Sequence, residues 1–364
     1  MLRAVRVFGR TLAVAMVLAI VACAPSSGAA SGGWRIENTP AVPSRAELAA
    51  VTATSAGDAW AVGCSGAEYQ GCLGGRALIE HSDGGAWTTM PFPAPATESA
   101  LFGVRATSSS NAWAVGTRDG RTLIAHWDGG RWRRQASPSL DLAKLRGIAA
   151  LSDADAWAVG SGYDGGDLVP IALHFDGKTW TTNQPAVSAP AVFEGVTMAA
   201  SNDVWAVGLD ARHGKPLIEH YDGTGWHRTQ HGGSWELTAV SAASPTDVWA
   251  VGVEDTEVEL IIHYDGTGWK RVGPRVRGTA LHGVTALSAT DLWAVGLRHP
   301  HGFRSRTMIL HYDGHSWQSV HAPNAGPRSA GLLGIASASS KLVAVGFQWG
   351  AHKSLAPLAM RCCS

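Results

Sequence analysis

The sequence repeats one short phrase along almost its whole length. Trp-Ala-Val-Gly occurs six times, and a seventh, altered copy reads Val-Ala-Val-Gly from Val343. The six full copies begin at Trp60, Trp113, Trp157, Trp205, Trp249 and Trp293. Copies that recur every roughly 40 to 50 residues are supersecondary units, and each unit buries its apolar faces against its neighbours. The chain is therefore predicted to be one closed or stacked array of similar units.

A second phrase, His-x-Asp-Gly-x-x-Trp, follows each full copy of the first. It begins at His81, His126, His174, His220, His263 and His311. Around Trp293, apolar and β-branched runs at 281–287, 292–297, 307–312 and 317–320 are separated by turn residues, which predicts four short strands. We therefore predict an all-β fold, a seven-bladed β-propeller of four-stranded antiparallel blades.

The seventh repeat ends without a fourth strand of its own. Its predicted third strand covers 355–361, and the chain stops soon after. The missing piece is at the other end, where the phrase at 32–36 resembles the fourth-strand phrase at 84–88. We predict that the N-terminal strand completes the last blade, which closes the ring and removes exposed sheet edges. The predicted propeller domain covers residues 33–364.

The first residues have a different pattern. Three arginines precede an apolar run at 11–22, which is too short to span a bilayer and has the form of a secretory signal. The run ends Ile20-Val21-Ala22-Cys23, which resembles the lipobox of bacterial lipoproteins. This resemblance implies cleavage before Cys23 and a diacylglycerol on its sulfur. An ordinary cleaved signal with a chance cysteine is the alternative.

The resulting prediction is a signal peptide at 1–22, then lipidated Cys23 and a flexible tether that extends to residue 32. The mature chain is expected to be lipid-anchored on the extracytoplasmic face of the cell membrane. Nucleic acid is not an expected partner, because 29 basic and 29 acidic residues balance and no basic run follows the signal. The chain is predicted to be a monomer without a cofactor, and its only membrane contact is the lipid anchor.

Four further cysteines bear on the fold. Cys64 and Cys72 flank the predicted loop between the second and third strands of the first blade, and an oxidising compartment permits a disulfide there. Cys362 and Cys363 are adjacent, so they form a vicinal disulfide or pair with other groups, and three pairings of the four cysteines are possible. Neither pair has zinc-ligand spacing, and no metal site is predicted.

Residues repeated in every blade are expected to serve the scaffold. The repeated histidines lie one blade apart, too far to share a metal ion. The Trp side chains fill the space between sheets, and the Asp of each Asp-Gly accepts backbone N–H groups in a tight turn. An Asp or Asn also stands two positions before each Trp and is expected to cap the turn between the first and second strands. These residues are Asp58, Asn111, Asp155, Asp203, Asp247 and Asp291.

The repeats resemble two groups of known propellers. The phrase at 82–87, Ser-Asp-Gly-Gly-Ala-Trp, resembles the Asp-box (BNR) motif of sialidase-type propellers. Trp-Ala-Val-Gly resembles the repeat of photosystem II assembly-factor-like propellers. The motif is structural in both groups, so the resemblance implies the fold and says little about function.

Function is expected where the copies differ. Loops that join the second strand to the third, and each blade to the next, vary in sequence and emerge on one face. The sixth blade's loop contains Arg298, His299, His301 and Arg304.

The innermost strands vary at one further position, two residues before an apolar marker residue. Around the ring this position reads Ala49, Phe102, Arg146, Glu194, Thr238, His282 and Leu333. Arg146 and Glu194 are in neighbouring blades, with His282 two blades on and Arg105 nearby. They form either an ion pair that joins blades three and four, or a polar centre at the channel mouth that holds an anionic or sugar-like ligand.

Catalytic signatures are sparse in this sequence. A sialidase requires an arginine cluster, a tyrosine nucleophile and acid–base carboxylates, yet only Tyr69 and Tyr163 lie outside the repeat phrases. No nucleophile elbow, phosphate loop or zinc-ligand spacing is present in the sequence. The favoured function is a membrane-anchored extracytoplasmic binding or assembly module that recognises a protein or glycan through its variable loop face. The alternative is a propeller-type glycan hydrolase or lyase that uses His282, Glu194 and Arg146 at the channel mouth.

Overall fold

The computed structural model describes residues 33–42, 45–68, 70–92, 98–187, 190–229, 232–254, 257–301, 304–323, 325–326, 328–338, 341–350 and 354–362, except the side chains of 300 and 301. All regular secondary structure in these ranges is β-strand, arranged as seven four-stranded antiparallel sheets. The predicted seven-bladed propeller is confirmed. These ranges contain no helix of the length and hydropathy needed to cross a membrane. The predicted signal peptide and tether, with Cys23, and also Tyr69 and Cys363, lie outside the described residues.

The strands follow the chain blade by blade. The first N-terminal strand is β1 (Arg35–Glu37), and blades 1 to 3 contain β2 (Ala46–Ser55), β3 (Asp58–Ser65), β4 (Arg76–Ser82), β5 (Trp87–Thr89), β6 (Ser99–Ser108), β7 (Asn111–Arg118), β8 (Arg121–Trp127), β9 (Trp132–Gln135), β10 (Asp141–Ala150), β11 (Ala156–Asp164), β12 (Asp167–Phe175) and β13 (Trp180–Thr182).

Blades 4 to 7 contain β14 (Ala191–Ala200), β15 (Asp203–Asp210), β16 (Lys215–Tyr221), β17 (Trp226–Arg228), β18 (Trp235–Ser244), β19 (Asp247–Glu254), β20 (Val258–Tyr264), β21 (Trp269–Val272), β22 (Thr279–Ser288), β23 (Asp291–His301), β24 (Arg304–Tyr312), β25 (Trp317–Ser319), β26 (Ala330–Ala338), β27 (Lys341–Trp349) and β28 (Leu355–Cys362).

The N-terminal strand completes the last blade, as predicted. The strand order of that sheet is β1-β28-β27-β26, and Arg35 is the partner of Arg361 in the antiparallel register between β1 and β28. The two ends of the described chain are therefore hydrogen-bonded within one sheet. A ring that closes in this way has no unpaired blade at either end.

A buried ion pair lies at this closure. Arg361 Nε donates to Glu37 Oε1 at 2.7 Å, and Glu37 Oε2 accepts from the indole of Trp87 at 2.8 Å. Arg361 occupies the position that holds His in the other blades, while Lys341 and Val343 replace the Asp and the Trp. We call Arg361 and Glu37 the closure pair, because their contacts connect the N-terminal strand, the last blade and the first blade.

The other six blades share one set of contacts between Trp, His and an acid or amide. In blade 5, Trp249 stacks on His263 with 4.0 Å between ring centroids, and His263 Nε2 lies 2.7 Å from Asp247 Oδ1. The equivalent pairs are His81 with Asp58, His126 with Asn111, His174 with Asp155, His220 with Asp203 and His311 with Asp291. Each imidazole is therefore held by its own blade.

In blades 1 and 2 this Asp or Asn bridges the turn between the first two strands, because Asp58 accepts from the Thr54 hydroxyl and the Asn111 amide donates to Thr107 Oγ1 at 2.5 Å. The backbone of that turn is capped by a serine, since Ser55 Oγ accepts from the N–H of Gly57 at 3.2 Å and Ser244 Oγ accepts from the N–H of Thr246 at 3.3 Å. The acid stands two residues before the Trp on the same strand, so both side chains project from one face of the sheet. The acid therefore points toward the His that pairs with that Trp.

The tryptophans of the two phrases pack between neighbouring blades. Trp113 of blade 2 meets Trp180 of blade 3 edge to face, with 5.4 Å between ring centroids. At the closure, Trp34, which directly precedes β1, meets Trp293 of blade 6 at 6.0 Å between ring centroids. Such pairs contribute about 0.5–1.5 kcal/mol each beyond the apolar area they bury. The core of the ring is thus a series of similar interfaces between sheets.

The first blade also contains a disulfide. Cys64 at the end of β3 is bonded to Cys72, with 5.6 Å between their Cα atoms, and the bond closes the loop that follows β3. Glu47 lies beside it, where its Oε1 accepts from the N–H of Gly71 at 2.8 Å and burial raises its pKa. Glu47, Cys64 and Cys72 are close enough to ligate a metal ion, but both sulfurs are used by the disulfide.

Candidate functional site

Every innermost strand contains a β-bulge at the same place. In blade 3, Leu145 pairs with Gly160 and Gly147 pairs with Val159, so Arg146 between them has no partner in the ladder. The same register shift occurs in the other six blades. The seven bulge residues are Ala49, Phe102, Arg146, Glu194, Thr238, His282 and Leu333. We call them the mouth ring, and they are the positions that sequence variation had singled out.

The bulge changes where these side chains point. Each mouth-ring residue is partly exposed, whereas the residue before it, such as Leu145, Phe193 or Leu281, is fully buried between sheets. Because the bulged strands are the innermost ones, the solvent that the mouth ring reaches is that of the central channel. Bulges commonly re-aim a side chain beside a functional site.

The same bulge explains the glycine of Trp-Ala-Val-Gly. A Cβ at Gly252 would lie 1.9 Å from the backbone oxygen of Glu236, and a Cβ at Gly160 would lie 2.0 Å from that of Lys144. The bulge brings the two inner strands too close for any side chain at this position. The bulge that forms the mouth ring therefore requires glycine at this position. The altered seventh copy also has it, as Gly346.

Arg146 and Glu194 form an ion pair between blades 3 and 4. Arg146 Nη1 lies 3.1 Å from Glu194 Oε2, and the two side chains are 35% and 15% exposed. Burial raises the pKa of Glu194 to about 7, although the Arg146 guanidinium acts to lower it. Glu236 raises the same pKa and Lys144 lowers it, so both charges act on this carboxyl. We call Arg146, Glu194, Lys144 and Glu236 the mouth cluster, two bases and two acids.

His282 is a separate polar group of the mouth ring. Thr238 stands between it and Glu194 around the ring, and the Thr238 hydroxyl lies 2.8 Å from the backbone oxygen of Leu281. His282 itself has no hydrogen bond within the described ranges, and burial lowers its pKa. A neutral imidazole offers one donor and one acceptor at pH 7. The ion pair and His282 therefore face the same channel without touching each other.

Arg105 does not belong to the mouth ring. It stands three residues beyond Phe102 on β6, where it is exposed and its Nε donates to the backbone oxygen of Ala150 at 3.4 Å. Because β6 runs from the loop face toward the opposite face, Arg105 lies deeper along the channel than the mouth cluster.

The loop face differs from the prediction in blade 6. Arg298 and His299 lie in β23 and Arg304 lies in β24, because this hairpin continues to pair beyond the body of the sheet. Arg298 is the register partner of Arg306. The extended parts of both strands are polar. The sequence therefore has no alternation of apolar and polar residues there from which the pairing could be predicted.

Sequence analysis missed two members of the mouth cluster. Lys144 and Glu236 each stand two residues before a mouth-ring residue, at a position that is Glu47 in blade 1 and Ala100 in blade 2. Lys144 is exposed and Glu236 is partly exposed. An alignment of the seven repeats at this position would have revealed them. The residue there is charged in some blades and apolar in others, so the fold does not require one residue type.

The comparisons with known proteins support the architecture. Neither a protein-family model nor a curated protein matches the chain. Among solved structures, YCF48 bound to a D1 peptide is 15% identical, with a TM-score of 0.60 over 91% of this chain and 96% of that one. YCF48 from Cyanidioschyzon merolae is 14% identical, with a TM-score of 0.60 over 91% and 98%. The BP39L lectin from Burkholderia pseudomallei is 15% identical, with a TM-score of 0.55 over 87% and 96%. These likenesses show the fold alone.

Proposed function

We propose that this chain is a lipid-anchored, extracytoplasmic binding module that recognises a protein or glycan at the mouth of its propeller channel. The anchor and the location are supported by the sequence alone, through the apolar run at 11–22 and the lipobox-like phrase that ends at Cys23. Propellers of similar fold include one bound to a peptide and one that is a lectin, which is consistent with either ligand class.

The main support for the proposal is that polar atoms of the mouth ring have no hydrogen-bond partners among the described residues. Arg146 Nε is buried and has no hydrogen-bond partner among the described residues, although the guanidinium already pairs with Glu194. His282 offers a second set of unused polar atoms at the same depth. A pair that served only to join two blades would be expected to use all its donors, because a buried unpaired donor costs about 1–3 kcal/mol.

The charges define the kind of ligand that fits. Lys144 and Arg146 supply donors, Glu194 and Glu236 supply acceptors, and His282 supplies one of each. The formal charges of the two bases and two acids cancel. The mouth is therefore suited to a ligand rich in both donors and acceptors, such as a hydroxyl-bearing glycan or the backbone of a peptide loop.

Site-specific photocrosslinking in the native envelope tests this function. A photoreactive phenylalanine analogue that replaces Leu333 faces the mouth. The same analogue in place of Thr267 lies in a turn of the opposite face and serves as the control. We expect adducts from position 333 only, lost in the combined variant Arg146→Ala, Glu194→Gln, His282→Ala. A glycan array with the same proteins covers sugar ligands. Equal adducts from both positions, together with no glycan retained, would contradict the proposal.

A second candidate is a glycan hydrolase or lyase with its site at the same mouth. The observation in its favour is Glu194, since a carboxyl with a pKa of about 7 can donate a proton at neutral pH. Glu236 provides a second carboxyl in the cluster. Turnover of a retained glycan that Glu194→Gln abolishes, with the fold intact, would establish an enzyme. Retention without turnover favours the binding module.

A further inference from the structure

A cavity of about 710 Å³ opens between blades 5 and 6, away from the mouth ring. Met308 and Leu310 on β24 and Trp317 on β25 form its apolar side. Pro274 and Val276, from the segment between the two blades, form the rim. Val276 is 48% exposed. The cavity therefore presents apolar surface to solvent.

The polar side of this inter-blade pocket carries the two guanidinium groups of Arg298 and Arg306. His321 also lines it, and none of the described lining residues is Asp or Glu. Arg306 is oriented by the hydrogen bond from its Nη1 to the backbone oxygen of Arg328 at 2.6 Å. Within the part of the chain that the structure describes, neither Arg298 nor Arg306 forms an ion pair.

Two acids of blade 5, the blade beside the pocket, are already engaged elsewhere. Glu254 pairs with Arg271 and Arg275, and Glu259 accepts from the N–H of Val276 at 2.7 Å. The two guanidinium groups of the pocket are therefore left for a ligand. Guanidinium groups favour planar oxyanions, because their paired N–H groups match both oxygens of a carboxylate.

We propose that the inter-blade pocket binds an acidic saccharide, a sugar whose ring carries a carboxylate. Arg298 and Arg306 bind the carboxylate, the apolar side formed with Trp317 packs on the sugar face, and the hydroxyls of Thr307 and Ser319 bind ring hydroxyls. A cavity of this size accommodates about one or two sugar rings. This site goes beyond the proposed function, because none of its residues belongs to the mouth ring.

A saccharide fits this pocket better than a peptide strand. An extended peptide would bind by adding to an exposed strand edge, and the outermost strand here, β25, is only three residues long. The pocket instead gathers short polar side chains and two guanidinium groups around an apolar wall. Such a mixed lining recognises a compact, hydroxyl-rich anion.

Isothermal titration of the whole protein with digalacturonate, and with its methyl ester as the uncharged match, tests the proposal. We expect saturable binding of the acid, binding of the ester weaker by about tenfold or more, and a comparable loss in Arg306→Ala and Arg298→Ala. Arg121→Ala is the matched control, because Arg121 stands at the position of Arg306 in blade 2 but does not line the pocket. That variant, and the combined mouth variant, should bind like the wild type.

Several results would overturn the assignment. These are no binding at millimolar digalacturonate, equal binding of acid and ester, an Arg306→Ala variant that binds normally, or an equal loss in Arg121→Ala. Tighter binding of an acidic peptide of the same charge would replace the saccharide with a peptide. Loss of binding in the mouth variant alone would place the ligand at the mouth instead. Thermal melting of each variant confirms that the fold is intact.

Discussion

Two of the Arg–Glu pairs in the propeller, the closure pair and the pair at the mouth, have different surroundings. In the closure pair, Arg361 and Glu37 are 5% and 10% exposed, and Arg361 also donates to the backbone oxygen of Ala56 at 3.0 Å. In the mouth pair, Arg146 is 35% exposed and its Nε has no partner among the described residues. The first pair satisfies its polar atoms within the protein, and the second does not. The same two residue types thus serve the scaffold in one place, and in the other we propose that they bind a ligand.

The largest expected effect comes from breaking the bulge that creates the mouth. Gly252→Ala places a Cβ against the backbone of β18, so we expect a loss of more than about 4 kcal/mol in the free energy of unfolding, or no folded protein. Gly268→Ala is the control in the same blade, because nothing lies within 4 Å of its Cβ position. It should change stability by less than about 0.5 kcal/mol. Urea unfolding measures both, and equal effects would contradict the account of the bulge.

Removing one partner of the closure pair should cost almost as much. Arg361→Met leaves the Glu37 carboxylate buried without its cation, and we expect a loss of about 3–5 kcal/mol in the free energy of unfolding. The double variant Arg361→Met, Glu37→Gln should recover part of that loss, because the uncompensated charge is gone. If the single variant is as stable as the wild type, the pair does not hold the ring closed.

Glu80 and Glu219 stand at equivalent positions of two blades, but only one of them has hydrogen-bond partners for its carboxylate. Glu219 accepts from the N–H groups of Ala186 and Val187, at 2.8 and 2.7 Å, whereas the carboxylate of Glu80 is buried with no hydrogen-bond partner among the described residues. Burial raises the pKa of Glu80 to about 7. The folded state then holds the proton more tightly than the unfolded chain, so stability falls as the pH rises from about 4.5 to 7.

Glu80→Gln should remove that decline. At pH 8 we expect the variant to be more stable than the wild type by up to about 3 kcal/mol, and at pH 4 the two should be alike. Glu219→Gln should instead lose about 1–2 kcal/mol, because its side chain has only one acceptor oxygen for two N–H groups. Urea unfolding at both pH values tests the pair of variants. A Glu80→Gln variant that is less stable at pH 8 would mean that the carboxylate has a partner.

The smallest stability effect is expected at the mouth pair. Arg146→Met should change the free energy of unfolding by less than about 1 kcal/mol, because Arg146 is 35% exposed and Glu194, whose pKa burial raises to about 7, can take up a proton once the cation is removed. The same substitution at the closure pair is the comparison. A loss at Arg146 as large as that at Arg361 would assign the mouth pair to the scaffold.

The sequence predicted the parts of the molecule that recur. Seven similar phrases set the blade number, and the displaced copy of the fourth-strand phrase, with Trp34, predicted the closure. The closure pair could not be predicted in that way, because Arg361 and Glu37 are 324 residues apart and occur once. The role of the Asp before each Trp was also missed, since its His partner lies on another strand and only the pairing of those strands reveals it.

The mouth was predicted as a set of variable positions but not as a set of bulges. A bulge adds one residue to a strand without changing the apolar pattern on either side, so the alternation around Arg146 gives no signal of it. The glycine of each Trp-Ala-Val-Gly was the available clue, because a glycine kept in all seven copies of an inner strand indicates a close backbone approach.

The most direct test of the ligand site is the yield of the photocrosslink from position 333 in three proteins. These are the wild type, the mouth variant Arg146→Ala, Glu194→Gln, His282→Ala, and a control with Arg133→Ala and His315→Ala near the turns of the opposite face. All three should melt at similar temperatures. The account predicts that the adduct is lost in the mouth variant alone. An adduct that forms equally in all three would show that the unsatisfied groups of the mouth do not bind the partner.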